Sequence, residues 1–216
     1  PDAIAVSAPQ EPEVLAILRE GSPVQALAAG EIGTVILDTT PFYAESGGQV
    51  GDTGELDGVD TRFAVQDTLK LAGQFHGHAG ILQSGVLRRG DLLHGSVNGE
   101  RRQAVIRNHS ATHLMHLALR KVLGDHVQQK GSLVDSQRLR FDFSHPKPMD
   151  EAEIEQLNEA MILDAGFSLR HLHVRTALQL LHQLVTRSHR RGAESAGSGG
   201  VDKKTILAHH QPGSTG

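Results

Sequence analysis

Two histidines four residues apart carry the strongest chemical signal in this chain: His109 and His113, in the run Arg107-Asn108-His109-Ser110-Ala111-Thr112-His113. On a helix, residues i and i+4 point the same way. Two imidazoles on one face are half of a zinc site. The same spacing also suits two surface or core histidines of a purely structural helix. Ser110 stands where the zinc-protease motif needs a Glu as general base, so that chemistry is excluded. His116, about one turn further on, is either a third candidate or a helix-flank residue. Catalytic zinc commonly has three protein ligands and a water. The chain contains 0 Cys, so any further ligand must come from distant sequence.

A second group lies at Thr40 to Gln49, followed by Val50-Gly51-Asp52-Thr53-Gly54. Gly47-Gly48 lets the backbone come close to a ligand because neither residue has a Cβ. Gln49 offers a donor and an acceptor, and Thr40 a hydroxyl. A hairpin turn followed by a strand would use the same residues. Arg88, Arg89, Arg101, Arg102 and Arg107 are candidates for phosphate contacts, or for an ordinary solvated surface.

The elements expected to hold these residues change character along the chain. Residues 1–30 mix Glu-Pro, Gly-Ser-Pro and the run Val14-Leu15-Ala16-Ile17-Leu18, and read as a linker segment with a short helix or edge strand. Residues 31–99 read as mostly β. Short strands are expected at Gly33 to Asp38, Arg62 to Val65, His76 to Leu82 and Leu93 to Val97, a spacing that suits a small barrel or sandwich. Residues 100–165 read as α/β. A helix is expected over 109–123, capped by Asn108 or Ser110 and ended by Gly124. Next come strands at Ser132 to Val134 and Arg138 to Phe143, with Leu139, Phe141 and Phe143 on one face. Asp150 and Glu153 resemble a capping pair ahead of a helix with Ile154, Leu157 and Met161 on one face. The fold class is therefore α+β.

Residues 166–216 form a divergent tail. From residue 168 on, its acidic residues are only Glu194 and Asp202, against seven basic ones. Gly192 to Gly200 has a disorder-prone composition, Leu178 to Val185 suits a turn or two of helix, and no chemistry motif stands out. Across all 216 residues, the apolar share of 38% supports a packed core, while 3% aromatic leaves it to Leu, Val, Ile and Ala. A net charge of −4 argues against a generally basic nucleic-acid binder, so any RNA contact must come from a local patch. No apolar run reaches the roughly 18 residues of a membrane span. Absent cysteine is compatible with a cytoplasmic protein. With neither an initiator Met nor a signal-peptide pattern, the chain reads as an internal piece of something longer.

Taken together, these stretches resemble the editing domain of alanyl-tRNA synthetase and its free-standing relatives. The first signature is Leu37-Asp38-Thr39-Thr40-Pro41-Phe42-Tyr43-Ala44-Glu45-Ser46-Gly47-Gly48-Gln49-Val50-Gly51-Asp52. The second is Arg107-Asn108-His109-Ser110-Ala111-Thr112-His113-Leu114. Gln129-Lys130-Gly131-Ser132-Leu133-Val134 and Leu139-Arg140-Phe141-Asp142-Phe143 continue it. The likeness covers about residues 14–165. Residues ahead of the first signature favour the full synthetase over a free-standing protein.

The resemblance implies a β-barrel-like subdomain packed on an α/β editing subdomain, with a zinc-bearing cleft between them; the irregular C-terminal tail is read from its composition. It implies hydrolysis of Ser-tRNA(Ala) and Gly-tRNA(Ala), with the tRNA(Ala) acceptor end as partner. Thr40 would meet the serine hydroxyl, Gln49 would hold substrate or water, and His109 and His113 would bind zinc. ATP would enter only through an aminoacylation domain that these residues do not include. Such editing is physically sensible, because a pocket shaped for alanine cannot strongly reject glycine or an added hydroxyl. The family completes its zinc site with a later Cys-x-x-x-His motif, and nothing here matches it. His171, His173, His209 and His210 are candidate substitutes. The tail beyond Gly166 resembles out-of-frame translation or an unrelated ending. A reading from a different class is a non-catalytic tRNA-binding module with a decayed, incomplete metal site.

Overall fold

A computed structural model of the chain describes residues 11–168 and 203–209. The chain divides into two units, Pro1–Ser46 with Val50–Arg102, and Gly47–Gln49 with Gln103–Gly216.

The described residues of the first unit form nine strands: β1 (Val14–Arg19), β2 (Ser22–Val24), β3 (Ala26–Ala28), β4 (Ile32–Leu37), β5 (Gly54–Asp57), β6 (Arg62–Leu71), β7 (Phe75–Ser84), β8 (Val86–Arg88) and β9 (His94–Val97). Seven of them form one antiparallel sheet in the order β2-β1-β4-β7-β6-β5-β9, and β3 pairs with β8 apart from it. Alternation of inward and outward side chains makes the core: Ile17, Val35, Leu56, Phe63, Leu82 and Leu87 are all buried. Each such side chain contributes about 1.5–3 kcal/mol when removed from water.

Among the described residues, the strands form no closed barrel. The segment ahead of β9 meets the start of β1 through a single bridge, Glu13↔Leu92. Backbone bonds support it, with Val14 N donating to Asp91 O and Leu93 N to Pro12 O, both at 2.9 Å. The stretch read as a linker also supplies three strands from residue 14 onward, and Val14 and Leu27 are fully buried. Pro23 belongs to β2, which is an edge of the sheet; an edge strand is where a residue without an N–H is tolerated.

The second unit holds most of α1 (Gly99–Leu123), then β10 (Gln129–Val134), β11 (Arg138–Ser144), α2 (Glu151–Ser168) and β12 (Lys203–His209). The strands pair antiparallel in the order β10-β11-β12. Leu139, Phe141 and Phe143 of β11 are buried together with Met115, Ala118 and Leu119 of α1 and Leu157 and Met161 of α2. The alternation expected in β11 is thus the face on which both helices rest. At α2, Asp150 N donates to Glu153 Oε2 at 3.0 Å and Glu153 N to Asp150 Oδ1 at 2.9 Å, a reciprocal capping box.

Helix α1 starts ten residues before the expected place. Asn98 caps it, its Oδ1 accepting from Arg101 N at 3.0 Å. Asn-Gly serves as readily in a turn as at a helix start, which is why the two readings compete. Asn108, expected as the cap, is buried in mid-helix, where its Nδ2 donates to Asp135 O at 2.7 Å. Gly124, at φ +108, ends the helix as expected.

Within the tail read as irregular, the described residues are regular: 166–168 end α2 and 203–209 form β12. His171, His173, His210, Leu178 to Val185 and Gly192 to Gly200 lie outside the described residues. Among the described residues, no helix is long and apolar enough to cross a membrane.

Candidate functional site

In the second unit, Gln49 is carried to the histidine pair by a short parallel bridge, Gln49↔Val134. Val134 N donates to Gly48 O at 2.7 Å, drawing the glycine turn onto β10. Gly48 sits at φ +85, and a Cβ there would lie 2.4 Å from Ser132 O. Both the left-handed backbone and the close approach require glycine at this position.

The His109 ring lies between two partners. Its Nδ1 is 2.6 Å from Gln49 Oε1, and its Nε2 is 2.9 Å from His113 Nε2. An amide oxygen only accepts, so His109 carries its proton on Nδ1 and keeps the Nε2 lone pair for the other side. His113 then donates its own Nε2 proton to that lone pair. Both histidines are exposed. Partial burial, and then the neighbouring His113, pull the His109 pKa below its ordinary value, favouring the neutral ring. Neutral imidazole with its far nitrogen tied to a carbonyl-type oxygen is the arrangement in which histidine binds a metal.

The donor chemistry fits zinc at two positions. Two zinc–nitrogen bonds of roughly 2.0–2.1 Å at a tetrahedral angle separate the nitrogens by about 3.3 Å, close to the spacing of this pair. Among the described residues, no cluster of three or more His, Cys, Asp or Glu side chains could hold a metal ion. His116 instead packs its ring on Phe141, centroids 5.3 Å apart. The side chain of His209 is outside the described part.

Thr40 belongs to the first unit, in a loop fastened at several points. Phe42, only 2% exposed, plugs into the core. Tyr43 N donates to Asp52 Oδ2 at 2.7 Å, and Asp52 N to Tyr43 O at 2.9 Å. Arg102 forms an ion pair with Asp52 and donates to Pro41 O at 2.7 Å. Arg101 donates to Gly51 O at 2.7 Å. Two of the arginines read as phosphate contacts are therefore engaged in fixing this loop. Arg88 and Arg89 are exposed at the end of β8, and Arg107 is half-buried on α1.

One residue that the sequence did not single out also reaches Thr40. His78 of β7 is fully buried, and its Nε2 lies 2.7 Å from Thr40 Oγ1. A histidine on the inward face of a strand was the only signal available, and a core role explains it equally well.

The comparisons with known proteins bear on both units. Residues 5–101 match the family model described as tRNA synthetases class II (A). The alanine–tRNA ligase of Stenotrophomonas maltophilia is 64% identical over 141 residues, 65% of this chain and 16% of that relative. That of Delftia acidovorans is 57% identical over 145 residues, 67% and 17% of the two chains. The chain belongs to the alanyl-tRNA synthetase family. An alanine–tRNA ligase of Acidithiobacillus ferridurans aligns over 174 residues at 51% identity, 79% of this chain and 20% of that relative. This member of the alanyl-tRNA synthetase family thus spans about a fifth or less of the length of these relatives.

Proposed function

We propose that this chain carries an editing function within the alanyl-tRNA synthetase family, hydrolysing Ser-tRNA(Ala) and Gly-tRNA(Ala). In that reaction water adds to the ester carbonyl carbon and the bond to the ribose oxygen breaks. The products are the free amino acid and a tRNA with its terminal hydroxyl restored. The observation that carries this reading is the chain of contacts from Gln49 through His109 to His113, which presents oriented imidazole nitrogens beside a glycine turn.

His109 and His113 would hold zinc, and Gln49 would fix the ring of His109 from behind. When bound, zinc supplies positive charge that orients the tRNA 3′ end or polarises water. Thr40 would meet the serine hydroxyl. Arg88, Arg89 and Arg107 are assigned to phosphates of the acceptor end. The strands of the first unit are read as a barrel-like subdomain completed by the Glu13↔Leu92 bridge. We place the protein in the cytoplasm, and ATP with the aminoacylation step outside these residues.

A deacylation assay on Ser-tRNA(Ala), with and without added zinc, tests this reading. Zinc-dependent release of serine above the buffer rate is expected. Binding of tRNA without hydrolysis at any zinc level would instead establish the second reading, a non-catalytic tRNA-binding module. That alternative draws on the donor count, two histidines with no larger metal-ligating cluster among the described residues.

A further inference from the structure

We infer that His78 is a positioning residue that fixes the Thr40 hydroxyl as a hydrogen-bond acceptor toward the ligand, so that Thr40 selects an aminoacyl ester bearing a side-chain O–H donor. This rests on the reading of Thr40 as the residue that meets the substrate side chain, and it names how the choice is made.

The direction of every hydrogen follows from one carbonyl. His78 Nδ1 lies 2.8 Å from Val35 O. A carbonyl oxygen only accepts, so Nδ1 carries the proton. Burial, reinforced by the charge of nearby His76, lowers the pKa of His78 and keeps the ring neutral. Its Nε2 therefore holds a lone pair and accepts from Thr40 Oγ1 across 2.7 Å. The single hydroxyl proton of Thr40 is thus committed inward. Phe42 N donates to the same Oγ1 at 3.1 Å, which uses one of its two acceptor positions. What remains is one lone pair.

The ring itself cannot easily reverse these roles. Phe42 packs edge-on against it, centroids 5.2 Å apart, and His78 is fully buried. Turning the imidazole over would leave Val35 O without its donor, and an unpaired buried polar group is costly. Thr40 therefore cannot donate to a ligand. A serine side chain satisfies the remaining lone pair with its O–H, whereas an alanine methyl offers no donor and would displace water from it. Glycine presents no side chain, so its handling does not pass through this contact.

Deacylation of Ser-tRNA(Ala) and Gly-tRNA(Ala) by the whole chain, compared among wild type, His78→Leu and His78→Gln, tests the inference. Loss of one neutral hydrogen bond corresponds to about three- to tenfold. The ratio of serine to glycine kcat/KM is expected to fall by that factor in His78→Leu and to recover in His78→Gln. An unchanged ratio, including equal loss on both substrates, overturns the inference and leaves the editing reading standing. If the wild type hydrolyses neither ester, the editing reading fails by itself, and the ring is read directly by long-range ¹H–¹⁵N correlation of His78. An Nδ1–H tautomer whose Nε2 shift moves on Thr40→Val then supports the orientation of Thr40, and an Nε2–H tautomer or an unmoved Nε2 overturns it.

Discussion

Gln49 Oε1 accepts the Nδ1 proton of His109 at 2.6 Å across 60 residues of sequence. The bond sets which nitrogen of His109 faces His113, and so ties the glycine turn to the histidine pair.

On the proposed zinc reading, removing that support is expected to weaken metal binding while leaving both histidines in place. Outer partners of metal-bound histidines are worth about 10–100-fold in affinity. Gln49→Ala is expected to lower zinc affinity by roughly that factor in a chelator competition titration, while the double variant His109→Ala, His113→Ala abolishes binding. Zinc content unaffected by the double variant would place the ion elsewhere.

Gly48 admits no side chain without movement of β10. Its positive φ and the 2.4 Å approach of a Cβ to Ser132 O act together. Gly48→Ala is expected to destabilise the fold by about 1–3 kcal/mol, measurable as a lower urea midpoint. It should also disturb the adjacent Gln49–His109 bond, so zinc affinity should fall in parallel.

Arg102 works on the loop that carries Thr40. The Asp52 side chain is 8% exposed and accepts from both Arg102 and Tyr43 N. Arg102→Met keeps the aliphatic bulk but leaves a buried carboxylate short of a donor, costing about 1–3 kcal/mol. Thermal unfolding would register it. The same substitution should change tRNA affinity little, unlike Arg88→Ala with Arg89→Ala, where filter binding should weaken and the salt dependence flatten.

The buried ring of His78 makes stability fall with acid. Its folded pKa is lowered, first by burial and then by His76. The unfolded chain then binds more protons than the folded one near the ordinary value of about 6.5, and stability rises with pH where that holds. The contribution is complete above the unfolded value and is lost as pH drops below it toward the folded one. Urea midpoints at about pH 7.5 and pH 5.5 should differ more for wild type than for His78→Gln.

Glu153 behaves in the opposite charge sense with the same direction in pH. The hydrogen bond from Lys147, and then the bond from Asp150 N, hold its carboxyl below the usual carboxylate range. Its stabilisation is present above the unfolded value and disappears as pH falls through the folded one. Glu153→Gln keeps much of the cap but should remove this acid sensitivity in far-UV circular dichroism of α2.

Local pattern was enough for β4, β7, β11 and α2. Leu139, Phe141 and Phe143 alternate, and Asp150 and Glu153 sit three apart, so neighbours in sequence decide these elements. The start of α1 was not legible, because Asn98-Gly99 is equally a turn and a cap. The run at 14–18 left helix and edge strand open, and the strands at 22–28 were hidden by Pro23 and the adjacent Gly-Ser, since turn residues and short edge strands share a composition. Within the site, the helical spacing of His109 and His113 was plain. Their link to Gln49, and the grip of His78 on Thr40, span 60 and 38 residues. Pairing between segments distant in sequence sets such contacts, and no local spacing encodes it.

β12 pairs with β11 along seven residues, from Ser144↔Lys203 to Arg138↔His209. Sheet pairing is made by main-chain N–H and C=O groups, so it asks little of the side chains that supply it. A segment bearing none of the expected family motif can thus still act as a seal. Cut away, it would leave β11 as a bare strand edge beside its phenylalanines, open to the next chain, and self-association would set the useful length of the protein before catalysis did.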